Sequence, residues 1–180
     1  MSDQPSRSPR PSPGRRITPL RVLAGVVVVG SFLLWAYAFS GLARRDAPDT
    51  LDDASFAADA EPICAAAVAD IDQLPPAMNF GDDPEGRADV LDRATDRLAA
   101  MVADLETVAT GTDRDRRIVD AWLSDWRTYL SDRRRFAEVI RVDEDEPFQL
   151  TAREGRAITA PMNRMATVND MPSCTTPGDV

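Results

Sequence analysis

The sequence predicts an all-α protein with one N-terminal transmembrane helix, followed by an extracytoplasmic bundle of three long helices and one short one. Three observations lead to this prediction. A run of 21 uncharged, largely apolar residues lies near the N-terminus. Beyond it, apolar residues recur at spacings of three and four, the period of an amphipathic α-helix. Two cysteines lie near the two ends of that downstream region, as expected of a cross-linked exported domain.

Composition removes several kinds of chemistry. All 21 basic residues are Arg, and the chain contains no His. Catalytic triads that use His are therefore excluded, and ordinary zinc sites are not expected, because His is the usual general base and the commonest metal ligand. We predict no catalytic residue, no cofactor and no metal site, and we interpret the chain as a non-enzyme. An enzyme that uses paired carboxylates is a distant alternative.

The charges divide the chain into a basic and an acidic part. Residues 1–20 form a tail rich in Pro, Ser and Arg, which has too few apolar residues to fold and is predicted to be disordered. From Arg44 onwards, 29 acidic residues stand against 16 Arg. Nucleic acid is not an expected partner of this larger part, because contacts with phosphates need a basic face.

Residues 21–43 are predicted to form the transmembrane helix. The uncharged run Val22–Leu42 is roughly 30 Å long as an α-helix, which matches the hydrocarbon core of a bilayer. Aromatic residues near its end, Trp35 and Tyr37 among them, are typical of the membrane interface. Five Arg precede the run and only two follow it closely. This asymmetry predicts a cytoplasmic N-terminus and an extracytoplasmic C-terminal domain at the cell membrane.

A cleavable signal peptide is the alternative interpretation of the same run. Ala36-Tyr37-Ala38 matches the small-residue pattern that precedes a cleavage site, so cleavage would follow Ala38. Apolar character continues as far as Leu42, which favours an uncleaved anchor. Both interpretations place the remainder of the chain outside the cytoplasm.

An acidic linker, residues 44–53, is predicted to lead into the helical domain, residues 54–180. Asp52 or Asp53 is the expected N-cap of its first helix, and Pro75 is expected to stop it. Pro62 lies inside the pattern, so the helix either bends there or begins there. Its apolar face contains Phe56, Ala60, Ile63, Ala67, Ile71 and Leu74.

The second helix is the most clearly marked. Asp83 followed by Pro84 is a typical N-terminus, and Gly111 is the expected stop. The third helix is predicted to start near Asp113. The apolar face of the second helix contains Leu91, Ala94, Leu98, Met101, Leu105 and Val108, and that of the third contains Val119, Trp122, Trp126, Tyr129, Phe136 and Ile140.

Arg133 falls on the apolar face of the third helix and has two interpretations. In the first, its stem is buried at the end of the bundle and its charged head reaches water. In the second, it is a buried cation that meets an acid or an anionic ligand. The candidate ligand or partner face is therefore Trp122, Trp126, Tyr129 and Arg133.

The C-terminal part has a weaker pattern. Residues 151–159 are predicted to be irregular or a frayed helix, and a short helix is predicted over 160–170. Cys64 and Cys174 are expected to form a disulfide that ties this part to the first helix, because two cysteines in an exported domain most simply pair.

The layout resembles uncharacterised single-pass exported helical proteins of actinobacteria, a group without known activity. The stretches Trp122–Leu130 (WLSDWRTYL) and Ala166–Pro177 (ATVNDMPSCTTP) carry this resemblance. The leading hypothesis is a non-enzymatic, membrane-anchored envelope protein whose outer domain binds a protein partner or organises cell-surface components. The alternative is a sensory-type helical bundle that binds a small molecule or an anion.

Overall fold

The computed structural model describes residues 19–40, 47–153 and 155–178. The predicted disordered tail up to residue 18, and residues 41–46 of the predicted span and linker, lie outside the described residues. The chain divides into two compact units, residues 1–46 and residues 47–180. The described part of each is mostly helical, which confirms the helical class of the prediction.

One helix, α1, makes up the described part of the first unit. It spans Pro19–Phe39, so it begins two residues before the predicted span and has the length needed to cross a bilayer. Its segment Val22–Phe39 has a mean hydropathy of 2.2, and none of those residues is buried. By length and composition α1 is a candidate membrane span. A signal sequence near the N-terminus has the same properties.

Four α-helices, two short 3-10 helices (Ala77–Phe80 and Pro172–Cys174) and a small hairpin make up the described part of the second unit. The α-helices are α2 (Ser55–Ile71), α3 (Pro84–Leu105), α4 (Asp113–Ile140) and α5 (Thr159–Val168). Helix α3 packs against α2 and α4, and α5 packs against α4. The apolar faces of all four helices contribute to one core, whose most deeply buried side chains include Phe56, Leu98, Leu105, Trp126, Tyr129, Met162 and Met171.

Side-chain caps explain where two helices start. The Asp83 carboxylate accepts a hydrogen bond from Gly86 N at 3.0 Å at the start of α3, as predicted. At α4 the hydroxyl of Thr112 accepts from Asp115 N at 3.0 Å, so the predicted start near Asp113 is confirmed. These caps satisfy backbone N–H groups that have no partner inside the helix.

Helix α2 starts differently from the prediction. Its N-cap is Ala54, which has no side-chain cap, so the expectation of an Asp52 or Asp53 cap is wrong. The Asp53 carboxylate instead accepts from Ser55 N at 2.8 Å, two residues further on. Pro62 lies inside the helix, so the helix does not begin there.

Gly111 does not end α3 directly, because the helix already stops at Leu105. Gly111 instead lies against Asp53. A Cβ atom added at Gly111 would be 2.7 Å from the Asp53 Cβ, which is closer than two non-bonded carbon atoms can approach. The absence of a side chain therefore lets the α3–α4 loop contact the segment before α2.

Residues 151–159 contain a hairpin, where the sequence predicted irregular chain or a frayed helix. Strands β1 (Ala152–Arg153) and β2 (Arg156–Ala157) pair antiparallel, with Arg153 opposite Arg156. Gly155 has a φ of 76° in the turn, a conformation that glycine adopts without steric cost. Two-residue strands are too short to show alternation in the sequence.

A disulfide joins Cys64 of α2 to Cys174, 110 residues further along the chain, as predicted. Both cysteines are fully buried. The bond lies in the main core, beside Ala60 and Met171. It therefore connects the first helix of the unit to the segment that follows its last helix.

Two buried carboxylates on α4 hold other segments against the helix. Asp115 has no exposed surface and accepts hydrogen bonds from Asp52 N at 2.8 Å and Asp53 N at 3.2 Å. Asp132 is 2% exposed and accepts from both the backbone N–H and the hydroxyl of Thr151, at 2.7 and 2.9 Å. Asp115 thus fixes the segment before α2, and Asp132 fixes the start of the hairpin.

Arg141, at the end of α4, connects that helix to α3. Its guanidinium lies 2.9 Å from carboxylate oxygens of Asp92 and Asp89 and 3.1 Å from Glu85. Hydrogen bonds from Arg141 to these three acids raise its pKa.

We expect Arg141→Gln to lower the free energy of unfolding by about 1 kcal/mol, because three neighbouring acids on α3 would lose their shared cation. Urea unfolding of the two forms measures the difference.

Arg134→Gln is the matched control on the same helix. Its guanidinium is 3.9 Å from Asp96, and both side chains are more than half exposed. An exposed pair of this kind contributes little to stability. The loss in Arg141→Gln should also shrink in 1 M salt, since salt screens the repulsion among the acids. Equal losses for the two variants would contradict the assigned role of Arg141.

Candidate functional site

Two adjoining cavities on the second unit share Asp49, Arg153 and Pro161 and form one cleft. Their volumes are about 320 and about 490 Å³. The cleft is bounded by the segment before α2, the first half of α4, the hairpin and the first turn of α5. We call it the arginine cleft, after the five arginines that line it: Arg114, Arg117, Arg153, Arg156 and Arg164.

One face of α4 forms the longest wall of the arginine cleft. Its lining residues run from Arg114 to Asp125 at spacings of three and four, which keeps them on one side of the helix. Trp122 lies in this wall, and its indole N–H donates to the carbonyl oxygen of Met162 at 3.2 Å. This bond fixes α5 against α4. The wall is therefore part of the packed core and not a mobile loop.

Three of the five arginines are each held by a carboxylate. Arg153 pairs with Asp125, and Arg164 donates to Asp49 at 2.7 Å. Arg114 lies 2.9 Å from Asp52 and also donates to the carbonyl oxygen of Thr50 at 2.7 Å. These ion pairs position the guanidinium groups, and they also neutralise much of the charge of each.

The other two arginines are exposed and have no such partner. Arg117 and Arg156 make no hydrogen bond or ion pair with any of the residues that the structure describes. Arg117 comes from α4 and Arg156 from β2, so each lies in a different wall of the arginine cleft. Each of the two adjoining cavities of the cleft is therefore bordered by one positive charge that no described carboxylate neutralises.

The first turn of α5 adds to the positive character of the arginine cleft. Ala160 and Pro161 line the cleft, and the N-cap Ile158 supplies no side-chain hydrogen bond to that turn. The N-terminus of a helix carries a partial positive charge and unpaired N–H groups. It favours an anion in the same place as the arginines do.

Asp125 is the more buried of the two carboxylates in the arginine cleft, at 8% exposure. Burial raises its pKa above the ordinary value, and the neighbouring Arg153 offsets this only in part. The partner of this buried carboxylate within the cleft is the guanidinium of Arg153.

The predicted ligand or partner face lies inside the second unit. Trp122, Trp126, Tyr129 and Arg133 are 3%, 0%, 1% and 0% exposed. Only Trp122 borders the arginine cleft. Trp126 packs edge to face against both Trp122 and Tyr129, and its buried indole N–H has no hydrogen-bond partner in the described part of the chain. As observed, these aromatic rings form core packing.

Arg133 does not reach water, so the expectation of an exposed head is wrong. Its Nε donates to the Thr95 hydroxyl at 3.0 Å, and Nη1 donates to the Tyr129 hydroxyl at 3.2 Å. The guanidinium also lies over the Tyr129 ring, with its central carbon 5.6 Å from the ring centroid. A buried charge needs hydrogen-bond partners, and these polar groups on α3 and α4 supply two of them.

Sequence reasoning missed the arginine cleft. Its arginines come from α4, the hairpin and α5, and no spacing in the sequence connects them. The only local sequence pattern that points to the cleft is the spacing of Arg114 and Arg117, which places them on the same face of α4 as Trp122. Within the described ranges, no group of three or more Asp, Glu, His or Cys side chains is arranged to hold a metal ion.

Comparisons with known proteins found no matching family, no similar curated protein and no similar solved structure.

Proposed function

We propose that this chain is a non-enzymatic, single-pass membrane protein whose N-terminus is cytoplasmic and whose helical domain is a binding domain outside the cytoplasm. The disulfide between Cys64 and Cys174 carries this proposal. Disulfides form and persist in oxidising compartments, outside the cytoplasm of most cells. The apolar helix α1 and the five arginines before Val22 support the same orientation.

Two properties support a binding role. The chain has no His, and the arginine cleft is lined by arginines and not by a nucleophile with a base. A concave site of about 320 Å³ suits a small molecule. This observation favours the ligand-binding form of the proposal, and a protein partner in the envelope is the alternative. Nucleic acid is not proposed, because residues 47–180 contain 28 acids against 14 Arg.

Thiol labelling in intact cells tests the location of the domain. Cys64 and Cys174 are the only cysteines, so the labelling pattern reports on them alone. We expect neither to react with a membrane-permeant or an impermeant maleimide, even after denaturation. After denaturation in the presence of a reductant, both should react.

The opposite labelling pattern would contradict the proposal. Reaction with the permeant reagent alone, without reductant, would place the domain in the cytoplasm with free thiols. The intact mass of the purified protein then separates an anchor from a cleaved signal. A mature chain that starts at Phe39 would keep the extracytoplasmic location but exclude the membrane anchor.

A further inference from the structure

Charge in the second unit is distributed unevenly. Residues 47–180 contain 14 Arg and 28 acidic residues, so the unit as a whole repels anions. Five of those arginines line the arginine cleft, and of the acids that the structure describes only Asp49 and Asp125 do so. The cleft is thus a site of net positive charge on an acidic domain. A low-dielectric concave wall strengthens such a local field.

The uncompensated charge suggests which anion fits. Arg117 and Arg156 supply about two positive charges that no described carboxylate neutralises. A phosphate monoester carries about −1.5 to −2 charges near neutral pH, and a carboxylate carries one. Guanidinium groups also donate two parallel hydrogen bonds to phosphate oxygens. The charge balance therefore favours a phosphate monoester over a monocarboxylate.

The walls of the cleft indicate that the ligand has an apolar part. Ile118, Trp122, Pro161 and Met165 line the same cavity as Arg117. Inorganic phosphate alone would make no contact with the surface that these side chains present to the cavity. An apolar ring or short chain next to the phosphate would cover them, and the cavity volume is adequate for such a group.

We propose that the arginine cleft binds a phosphate monoester attached to an apolar group. Arg117 and Arg156 contact the phosphate, and the apolar lining around Trp122 contacts the apolar group. The proposal rests on the proposed function, since it names the ligand class of that binding domain. The uncapped first turn of α5 supplies further positive potential at the same place. Arg114, Arg153 and Arg164 shape the cleft through their ion pairs.

Calorimetric titration of the full chain, purified in a non-ionic detergent and phosphate-free buffer, tests the proposal. The probes are phenyl phosphate, inorganic phosphate and benzoate. We expect phenyl phosphate to bind at least about tenfold more tightly than the other two. Arg117→Gln/Arg156→Gln should weaken phenyl phosphate binding by about tenfold or more, because two charge-assisted contacts are lost.

Arg97→Gln/Arg134→Gln is the matched control. It removes the same charge from exposed arginines whose nearest carboxylates lie 4.0 and 3.9 Å away, outside the cleft. Binding in this control should stay within about twofold of the unchanged protein. Equal weakening in both double variants would show a general charge effect and overturn the proposal. Absence of saturable phenyl phosphate binding would also overturn it.

Folding of the cleft variant is checked separately. Arg117 and Arg156 are exposed and have no described partner, so their replacement should leave the unfolding midpoint unchanged. Arg117→Lys/Arg156→Lys retains both charges but loses the planar fork, and it should bind with intermediate affinity. A Lys variant with the same affinity as the Gln variant would contradict phosphate recognition through charge.

The source of the phosphate is distinguished by a second set of probes. Dihexanoyl phosphatidic acid is a soluble lipid with a phosphate monoester headgroup, and dihexanoyl phosphatidylcholine is its control. Tighter binding of the phosphatidic acid than of phenyl phosphate supports a lipid source, and the reverse supports a soluble ester. Because these titrations use purified protein, they are independent of the labelling experiment on location. A cytoplasmic domain that binds phenyl phosphate would contradict the proposed location only.

Discussion

Replacement of both cysteines by alanine is expected to lower the free energy of unfolding of the helical domain by about 3–5 kcal/mol. The bond between Cys64 and Cys174 closes a loop with a sequence separation of 110 residues. A cross-link over so long a loop removes many conformations from the unfolded chain, and its loss restores them. Both side chains are also fully buried, so each alanine leaves a small cavity.

Urea unfolding, followed by the fluorescence of the buried Trp122 and Trp126, measures this loss. The unchanged protein in the presence of a reductant is the control, because it loses the bond and keeps the sulfur atoms in place. It should show most of the destabilisation of Cys64→Ala/Cys174→Ala. A double variant within about 1 kcal/mol of the oxidised protein would mean that the unfolded chain is already compact without the bond.

The second large effect is expected from Asp115→Ala, with a loss of about 2–4 kcal/mol at neutral pH. The Asp115 carboxylate is fully buried and accepts hydrogen bonds from the backbone N–H groups of Asp52 and Asp53. Alanine leaves both donors without an acceptor and removes the anion that lies 3.8 Å from Arg114. The segment that bounds one side of the arginine cleft should then loosen.

The pH dependence of this loss has a definite sign. Burial alone would raise the pKa of Asp115, but hydrogen bonds from Asp52 N, Thr112 and Asp53 N, together with Arg114, lower it below its ordinary value of 3.8. A carboxyl whose pKa is lower in the folded state than in the unfolded chain stabilises the fold. This contribution is complete at pH values above the pKa of the unfolded chain. That contribution is lost as the pH falls through the folded pKa. The difference between the two proteins should be constant from pH 7 to 5 and shrink below about pH 4.

Asp115→Asn separates charge from hydrogen bonding. The amide has one oxygen that accepts, so it retains part of the contact with Asp52 and Asp53 and should give an intermediate stability with no titration of its own. Thermal unfolding of the three proteins at pH 7, 5 and 3 makes the comparison. A difference between the unchanged protein and Asp115→Ala that is the same at pH 3 and pH 7 would contradict an ionised Asp115.

The helices with strong local signals were the ones that the sequence predicted well. Helices α3 and α4 each combine apolar residues at spacings of three and four with a clear start, at Asp83 and Thr112. Helix α2 was predicted with the wrong N-cap. Asp52 and Asp53 both suit an N-cap by residue type, but the helix starts after Ala54 and neither aspartate is its N-cap. The hairpin at Ala152–Ala157 was missed because its pairing depends on a glycine turn and on Asp132, a residue of another element.

Burial of polar side chains could not be predicted from the sequence. Arg133 stands on an apolar helix face, and only the folded positions of Thr95 and Tyr129 show that hydrogen-bond partners lie beside it there. Asp115 is one of 29 acidic residues after Arg44, and nothing in the sequence around it marks it as buried, yet it is fully enclosed. Whether a charged side chain is buried depends on partners from distant segments, and single-sequence patterns do not contain that information.

The long disulfide loop has a consequence for proteolysis of the helical domain. A protease that cuts one peptide bond between residues 65 and 173, for example in the exposed hairpin turn at Gly155, would produce two fragments that stay covalently joined through Cys64 and Cys174. The nicked domain would migrate as one species without reductant and as two with it. A surface cut would thus fail to shed the C-terminal fragment, which would leave only after the bond is reduced.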